Sequence, residues 1–236
     1  MSPFAYRSIT AIGVASFLIA SHVLIADGAT RAHHQYLFVT ALGYGHLFGA
    51  ARGAWRAARS APIRAGFTGV STATGFALYL EGLSRWPALA FALLALSVWH
   101  FTENDAALAR ALRRQTPLAP MLRGVRAHAA PFGAAACVVA AALLVAPDPG
   151  LLGDLFAGTT LFHLLGWCVF LFARGTGLGK LLLLHATPLV LCVWLTSSSS
   201  EWLDPLRRWL FTPGVYLYWA SLHTVHTVWM RRAAGA

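Results

Sequence analysis

The chain has 236 residues, of which 58% are hydrophobic and 11% are charged. Soluble domains carry about 25% charged residues, so this composition excludes an ordinary soluble protein and indicates an integral membrane protein. The net charge of +10 does not indicate nucleic-acid binding, because the basic residues stand at the ends of apolar segments and not along one continuous face.

Eight apolar segments, each close to the roughly 20 residues that a transmembrane helix needs, leave no room for a soluble domain. Their apolar runs are continuous, whereas the strands of a membrane β-barrel alternate with a period of two. We therefore predict an all-α, polytopic membrane helical bundle of about eight transmembrane helices that forms a single domain over residues 1–236. The predicted helices cover residues 8–27, 34–54, 63–83, 86–102, 126–146, 151–172, 180–197 and 209–230.

The basic residues are concentrated in alternate connections between these segments, especially at residues 52–64 and 110–126. The intervening connections hold few basic residues and several acids. By the positive-inside rule, both termini face the cytoplasm. The longest connection, residues 103–126, begins with Asn104 and the run AALARALRR, which predicts a short amphipathic helix at the inner surface.

Six of the ten histidines lie inside apolar segments, and a rise of about 1.5 Å per helical residue places all six toward the cytoplasmic side. Ionisable residues within a membrane are costly and mark functional sites, and neutral imidazole is the commonest protein ligand for transition metals. The sequence therefore predicts a metal site. These histidines are His46, His100, His163, His185, His223 and His226, of which the last two are three residues apart and share a helix face.

Two further polar features accompany these histidines. Asp105 follows His100 by five residues, or roughly 140° around an ideal helix, so its carboxylate fits better as the acceptor of an imidazole N–H than as a co-ligand. At the outer boundary, His22 is either an interfacial polar residue or, together with Asp27, lines an outer entrance to a cavity.

Four of the histidine-bearing segments resemble, in order and surroundings, the bacterial Brp/Blh-type membrane β-carotene dioxygenases. The segment around His100 matches most closely, while Gly45 stands where the family has proline and no second histidine follows His163 closely. The resembling segments are GYGHLFGA at His46, SVWHFTENDAA at His100, TLFHLLGW at His163 and SLHTVHTVW at His223 and His226.

The resemblance implies a non-haem iron(II) oxygenase in a bacterial inner membrane that cleaves a carotenoid to an apocarotenal or retinal. Dioxygen and a hydrophobic small molecule would be its substrates. The implied iron ligands are His46, His100, His163 and one of His223 and His226. Asp105 would orient His100 at the catalytic site, and His185 would support the ligands or replace one of them.

The histidines themselves leave other functions open. Axial histidines from two facing helices would ligate a b-type haem for electron transfer. Histidines in the inner half of a bundle would also suit a metal or proton transporter. A diiron desaturase or hydroxylase is a third alternative, although the repeated histidine boxes of that group are absent from the chain.

Overall fold

The computed structural model describes residues 1–58, 97, 100–101, 104–113, 148–211, 215–216, 218–220 and 223. Every secondary-structure element within these ranges is helical. The helices with full bounds are α1 (Pro3–Leu24), α2 (Gly28–Ala58), α3 (Pro149–Ala173), α4 (Leu178–Ser197) and α5 (Asp204–Phe211), with a 3-10 turn at Glu201–Leu203 before α5. Residues 97, 100–101, 104–113, 215–216, 218–220 and 223 are helical as well.

Among the residues that the structure describes, three helical segments are long and apolar enough to cross a membrane: α1, α4 and the Gly153–Ala173 part of α3. Large apolar side chains such as Ile12, Val23 and Leu183 are exposed on α1 and α4. A lipid-facing helix surface is apolar in this way, because bilayer hydrocarbon takes the place of water around it. The described helices are therefore those of a membrane protein, as the composition predicts.

Capping residues set where α1 and α2 begin. The Ser2 hydroxyl accepts the N–H of Ala5 at 3.1 Å, and α1 begins at Pro3, before the predicted residue 8. Asp27 accepts the N–H of Thr30 at 2.8 Å, so α2 begins at Gly28 and not at the predicted residue 34. The hydrogen bonds from Thr30 also lower the pKa of the Asp27 carboxyl below its usual value.

The bounds of α3 and α4 follow the predicted bounds more closely. Asp148 accepts the N–H of Gly150 at 2.7 Å, and α3 begins at Pro149, two residues before the predicted start. Gly175, at φ 87°, makes the turn between α3 and α4. The start predicted for the last segment was wrong, because Trp209 belongs to α5, which begins at Asp204. The predicted helices at 63–83 and 126–146 lie outside the described residues.

Helix α2 packs against both α3 and α4, and α1 packs against α3. One apolar core lies between α2 and α3 and contains Val39, Ala157, Leu161 and Leu164. A second core joins the apolar face of the helical residues 104–113 to Tyr6 of α1 and Phe170 of α3. The predicted amphipathic helix therefore buries its apolar face inside the bundle. This packing brings one histidine each from α2 and α3 next to histidines from two further helical segments.

Candidate metal centre

Four imidazoles from four helical segments meet inside the bundle. The Nε2 atom of His46 lies 3.2 Å from that of His163 and 3.2 Å from that of His223. The Nε2 atom of His100 lies 3.2 Å from that of His223. His100 and His163 are 1% and 5% exposed. We call these four residues the imidazole cluster.

Hydrogen bonds between imidazoles do not account for all three of these contacts. The Nε2 atom of a neutral imidazole offers either one N–H or one lone pair, yet the Nε2 atoms of His46 and His223 each face two other ring nitrogens. At most two of the three contacts are therefore N–H···N hydrogen bonds. The arrangement needs another explanation for at least one close nitrogen pair.

A shared metal ion would account for such a spacing. Metal–nitrogen bonds of about 2.0–2.1 Å in a tetrahedral site separate neighbouring ligand nitrogens by about 3.3–3.4 Å, close to the observed 3.2 Å contacts. The ring nitrogens of His46, His163 and His223 all lie within 4.8 Å of one another. These three imidazoles can hold one ion, and His100 adjoins them through His223.

Aromatic side chains form part of the wall of the cluster. The ring of Phe101 stacks on His163, with ring centroids 4.4 Å apart and an interplanar angle of 21°. Trp167, one helical turn after His163, lies beside His46 at a centroid distance of 5.8 Å. The indole Nε1 of Trp167 is buried and has no acceptor among the described residues. It is a buried hydrogen-bond donor on a side chain that lies beside His46.

The two glycines before His46 allow the surrounding helices to approach α2. A Cβ at Gly43 would lie 2.5 Å from the Tyr216 hydroxyl, and one at Gly45 would collide with the carbonyl oxygen of Leu184 in α4. Pro188 lacks the N–H that would bond to the Leu184 carbonyl in a regular helix, so this carbonyl is available to face α2. The sequence Gly-Tyr-Gly-His thus places His46 between close-packed helices.

His185, the predicted supporting ligand, lies on this α2–α4 contact. Its Nδ1 atom is 3.4 Å from the carbonyl oxygen of Leu42, one turn before His46, and the ring donates its N–H there. This contact joins α4 to the backbone of the helix that carries His46. His185 thus contacts the backbone of α2, the helix that positions His46.

Asp105, the predicted partner of His100, pairs elsewhere, and the residue before it, Asn104, contacts His100 instead. Asp105 forms a salt bridge with Arg7 of α1, with Oδ2 2.8 Å from Nη2 and 3.0 Å from Nε. Asn104, which is buried, places Nδ2 3.0 Å from the Nε2 atom of His100. His100 and Asn104 are both helical, and residues four apart share a helix face, so Asn104 and not its neighbour Asp105 lies beside His100. Of the predicted site residues, only His226 lies outside the described residues.

A second polar cluster, which the sequence reasoning missed, lies near the α1–α2 turn. Asp154 of α3 has Oδ2 2.8 Å from Nε2 of His22 and Oδ1 3.5 Å from Nε of Arg31. Gln35 donates to the same carboxylate at 2.7 Å. His22 therefore pairs with Asp154, while Asp27 caps α2. The available signal was an acidic residue inside a predicted transmembrane segment.

Comparison of the chain with protein-family models, with curated proteins and with solved structures finds no match.

Proposed function

We propose that this protein is a membrane-embedded, histidine-ligated iron oxygenase that acts on a lipid-soluble substrate. The observation that carries the proposal is the set of three 3.2 Å contacts between imidazole Nε2 atoms. His46, His163 and His223 would hold the ion, with His100 as a fourth ligand or as a partner of Asn104. Imidazole suits iron among several transition metals, and iron(II) supplies redox chemistry with dioxygen when it is bound.

The spacing within the cluster argues against a haem held by His46 together with His163 or His223. The two axial ligands of a haem approach from opposite sides of the macrocycle, which places their nitrogens about 4 Å apart with the ring between them. Nε2 atoms 3.2 Å apart are too close for that arrangement.

The protein residues around the ion would orient the reactants and exclude bulk water. Phe101 and Trp167 provide apolar surface beside the imidazoles, and the Trp167 N–H provides a donor for a small ligand that enters the site. We propose that these side chains accept a hydrocarbon and position a polar co-substrate.

A cleft between α1 and α4, with α2 as its floor, supports a lipid-soluble substrate. Its volume is about 410 Å³, within the range of small-molecule sites. Its lining is mostly apolar and includes Phe17, Phe38, Leu189 and Val193. The cleft reaches Ala41 of α2, five residues before His46. In keeping with the sequence resemblance, we propose a carotenoid or a related polyene as the substrate class.

We further propose that the complete bundle has about eight transmembrane helices and that both termini face the cytoplasm of a bacterial cell, with the protein in its inner membrane. The concentration of arginines in alternate connections supports this orientation.

Metal analysis combined with a visible absorption spectrum tests this function. We expect about one iron per chain in protein purified in detergent or reconstituted with iron(II), and no Soret band. His163→Ala should lose the iron, whereas His34→Ala, a change at an exposed histidine of α2, should retain it. A chain that retains no metal after reconstitution, or one that shows a Soret band, would contradict the proposal.

The reaction itself is tested with the iron-loaded protein in lipid nanodiscs, supplied with β-carotene and dioxygen. Oxygenase chemistry predicts aldehyde products by chromatography and mass spectrometry, and their loss in His163→Ala. Iron-loaded protein that leaves a panel of polyenes unchanged would confine the proposal to metal binding.

A further inference from the structure

The polar cluster around Asp154 extends from solvent into the bundle. The side chain of His22 is 50% exposed, whereas Gln35, which binds the same carboxylate, is 1% exposed. Gln35 also donates to the Ser21 hydroxyl at 2.8 Å. The cluster therefore links α1, α2 and α3 and leads from the end of the bundle that holds the α1–α2 turn toward its interior.

Buried polar atoms continue inward from this cluster along α2. Gln35 Oε1 has no hydrogen-bond partner among the described residues, and the buried hydroxyls of Tyr36 and Thr40 have at most each other as a partner there. Tyr36 and Thr40 are four residues apart and thus share a helix face. Buried polar groups in folded proteins are nearly always bonded to protein or to ordered water. One amide oxygen and two hydroxyls in succession on α2 have more hydrogen-bonding capacity than these contacts use, and water would satisfy the remainder.

The same line of polar atoms leads to the imidazole cluster. The ring of Tyr36 lies edge-on to Tyr216 at 6.3 Å, and the Tyr216 hydroxyl lies against Gly43, where the missing Cβ leaves room for it. Gly43 is three residues before His46. The 11 residues from Gln35 to His46 span about 16 Å of helix, with polar side chains placed along this distance.

We propose that His22, Asp154, Gln35, Tyr36, Thr40 and Tyr216 line a hydrated path that brings water and protons from the membrane face at the α1–α2 turn to the imidazole cluster. An ionisable group at the mouth and hydroxyl groups along the interior are the side chains that support water and proton movement across a membrane interior. The alternative is a static clamp in which Asp154 joins three helices and the interior hydroxyls stay dry.

The path is independent of the proposed metal, although its role in oxygenase chemistry rests on the proposed function. Hydroxyl-radical footprinting by water radiolysis tests it, because radicals formed from a water molecule oxidise the side chains next to that water. The wild-type protein in lipid nanodiscs is irradiated, and the oxidation of each residue is measured by mass spectrometry. After correction for intrinsic reactivity, we expect Tyr36 and Tyr216 to be oxidised at least fivefold faster than Phe38, which stacks on Phe17 in the apolar cleft.

Two matched threonine variants identify the source of this signal. Thr40→Val removes a hydroxyl from the path, and Thr10→Val removes one from α1; both threonines are fully buried. Oxidation of Tyr36 and Tyr216 should fall severalfold in Thr40→Val and stay unchanged in Thr10→Val. If Tyr36 and Tyr216 of the wild-type protein are oxidised no faster than Phe38, the path is overturned and the clamp is supported. This comparison uses the wild-type protein alone, so it does not depend on whether the variants fold. Metal content, measured on the same samples, reports separately on the proposed function.

Discussion

Replacing Gly45 with alanine tests whether the close contact between α2 and α4 positions the metal ligand His46. The added Cβ would collide with the Leu184 carbonyl, a backbone atom that moves only if the helices separate. Inserting a methyl group into a tightly packed contact costs about 1–3 kcal/mol, while alanine itself favours a helix over glycine by up to about 1 kcal/mol. Gly49→Ala is the matched control, because its Cβ would lie 3.8 Å from Leu184 Cδ2, an ordinary contact.

The helix-propensity gain is common to both variants, so their free energies of unfolding should differ by the overpacking cost alone, about 1–3 kcal/mol. Thermal unfolding in detergent, followed by tryptophan fluorescence, should show Gly45→Ala melting several degrees below Gly49→Ala. Metal content should fall in Gly45→Ala and not in Gly49→Ala, because His46 follows directly after residue 45. Equal melting temperatures and equal metal content in the two variants would refute the role assigned to this contact.

Three other predictions concern the surroundings of the metal site. Asn104 contacts the same Nε2 atom of His100 that would ligate the ion, so Asn104→Ala should free this nitrogen and strengthen metal binding by up to about 10-fold. Asp105→Asn, at a residue paired with Arg7, should change metal affinity little; equal effects of the two changes in a metal titration would count against the assignment. Trp167→Phe removes the buried N–H and keeps an aromatic side chain. The affinity of the metal-loaded protein for azide should therefore fall about 10-fold or more while the metal content stays unchanged. An unchanged azide affinity would show that the N–H does not reach the ligand. His185→Leu should leave the metal stoichiometry intact and lower the free energy of unfolding by roughly 0.5–1.5 kcal/mol. If elemental analysis shows that this variant has lost the metal, His185 is instead a ligand.

The helices could be predicted from the sequence because the length and composition of an apolar run are local properties of the chain. Helix ends shifted where a cap stood outside the apolar run, as Ser2 and Asp27 do. The common depth of His46 and His163 followed from the constant rise of a helix. Their 3.2 Å contact depends in addition on helix rotation, which close contacts such as Gly45 against Leu184 determine.

Polar partners were harder to predict than depth. Asp105 is near His100 in sequence, yet it pairs with Arg7 of α1, 98 residues away. Asp154 pairs with His22 across 132 residues. Nothing local in the sequence identifies such partners, since the pairing is set by which helices become neighbours in the bundle.

The most direct test of the metal centre is X-ray absorption spectroscopy at the iron edge of the loaded protein. We expect three or four imidazole nitrogens at about 2.0–2.2 Å, with the multiple-scattering pattern of histidine rings and one fewer imidazole in a His223→Ala sample that retains metal. A first shell of oxygen or sulfur with at most one imidazole would contradict it.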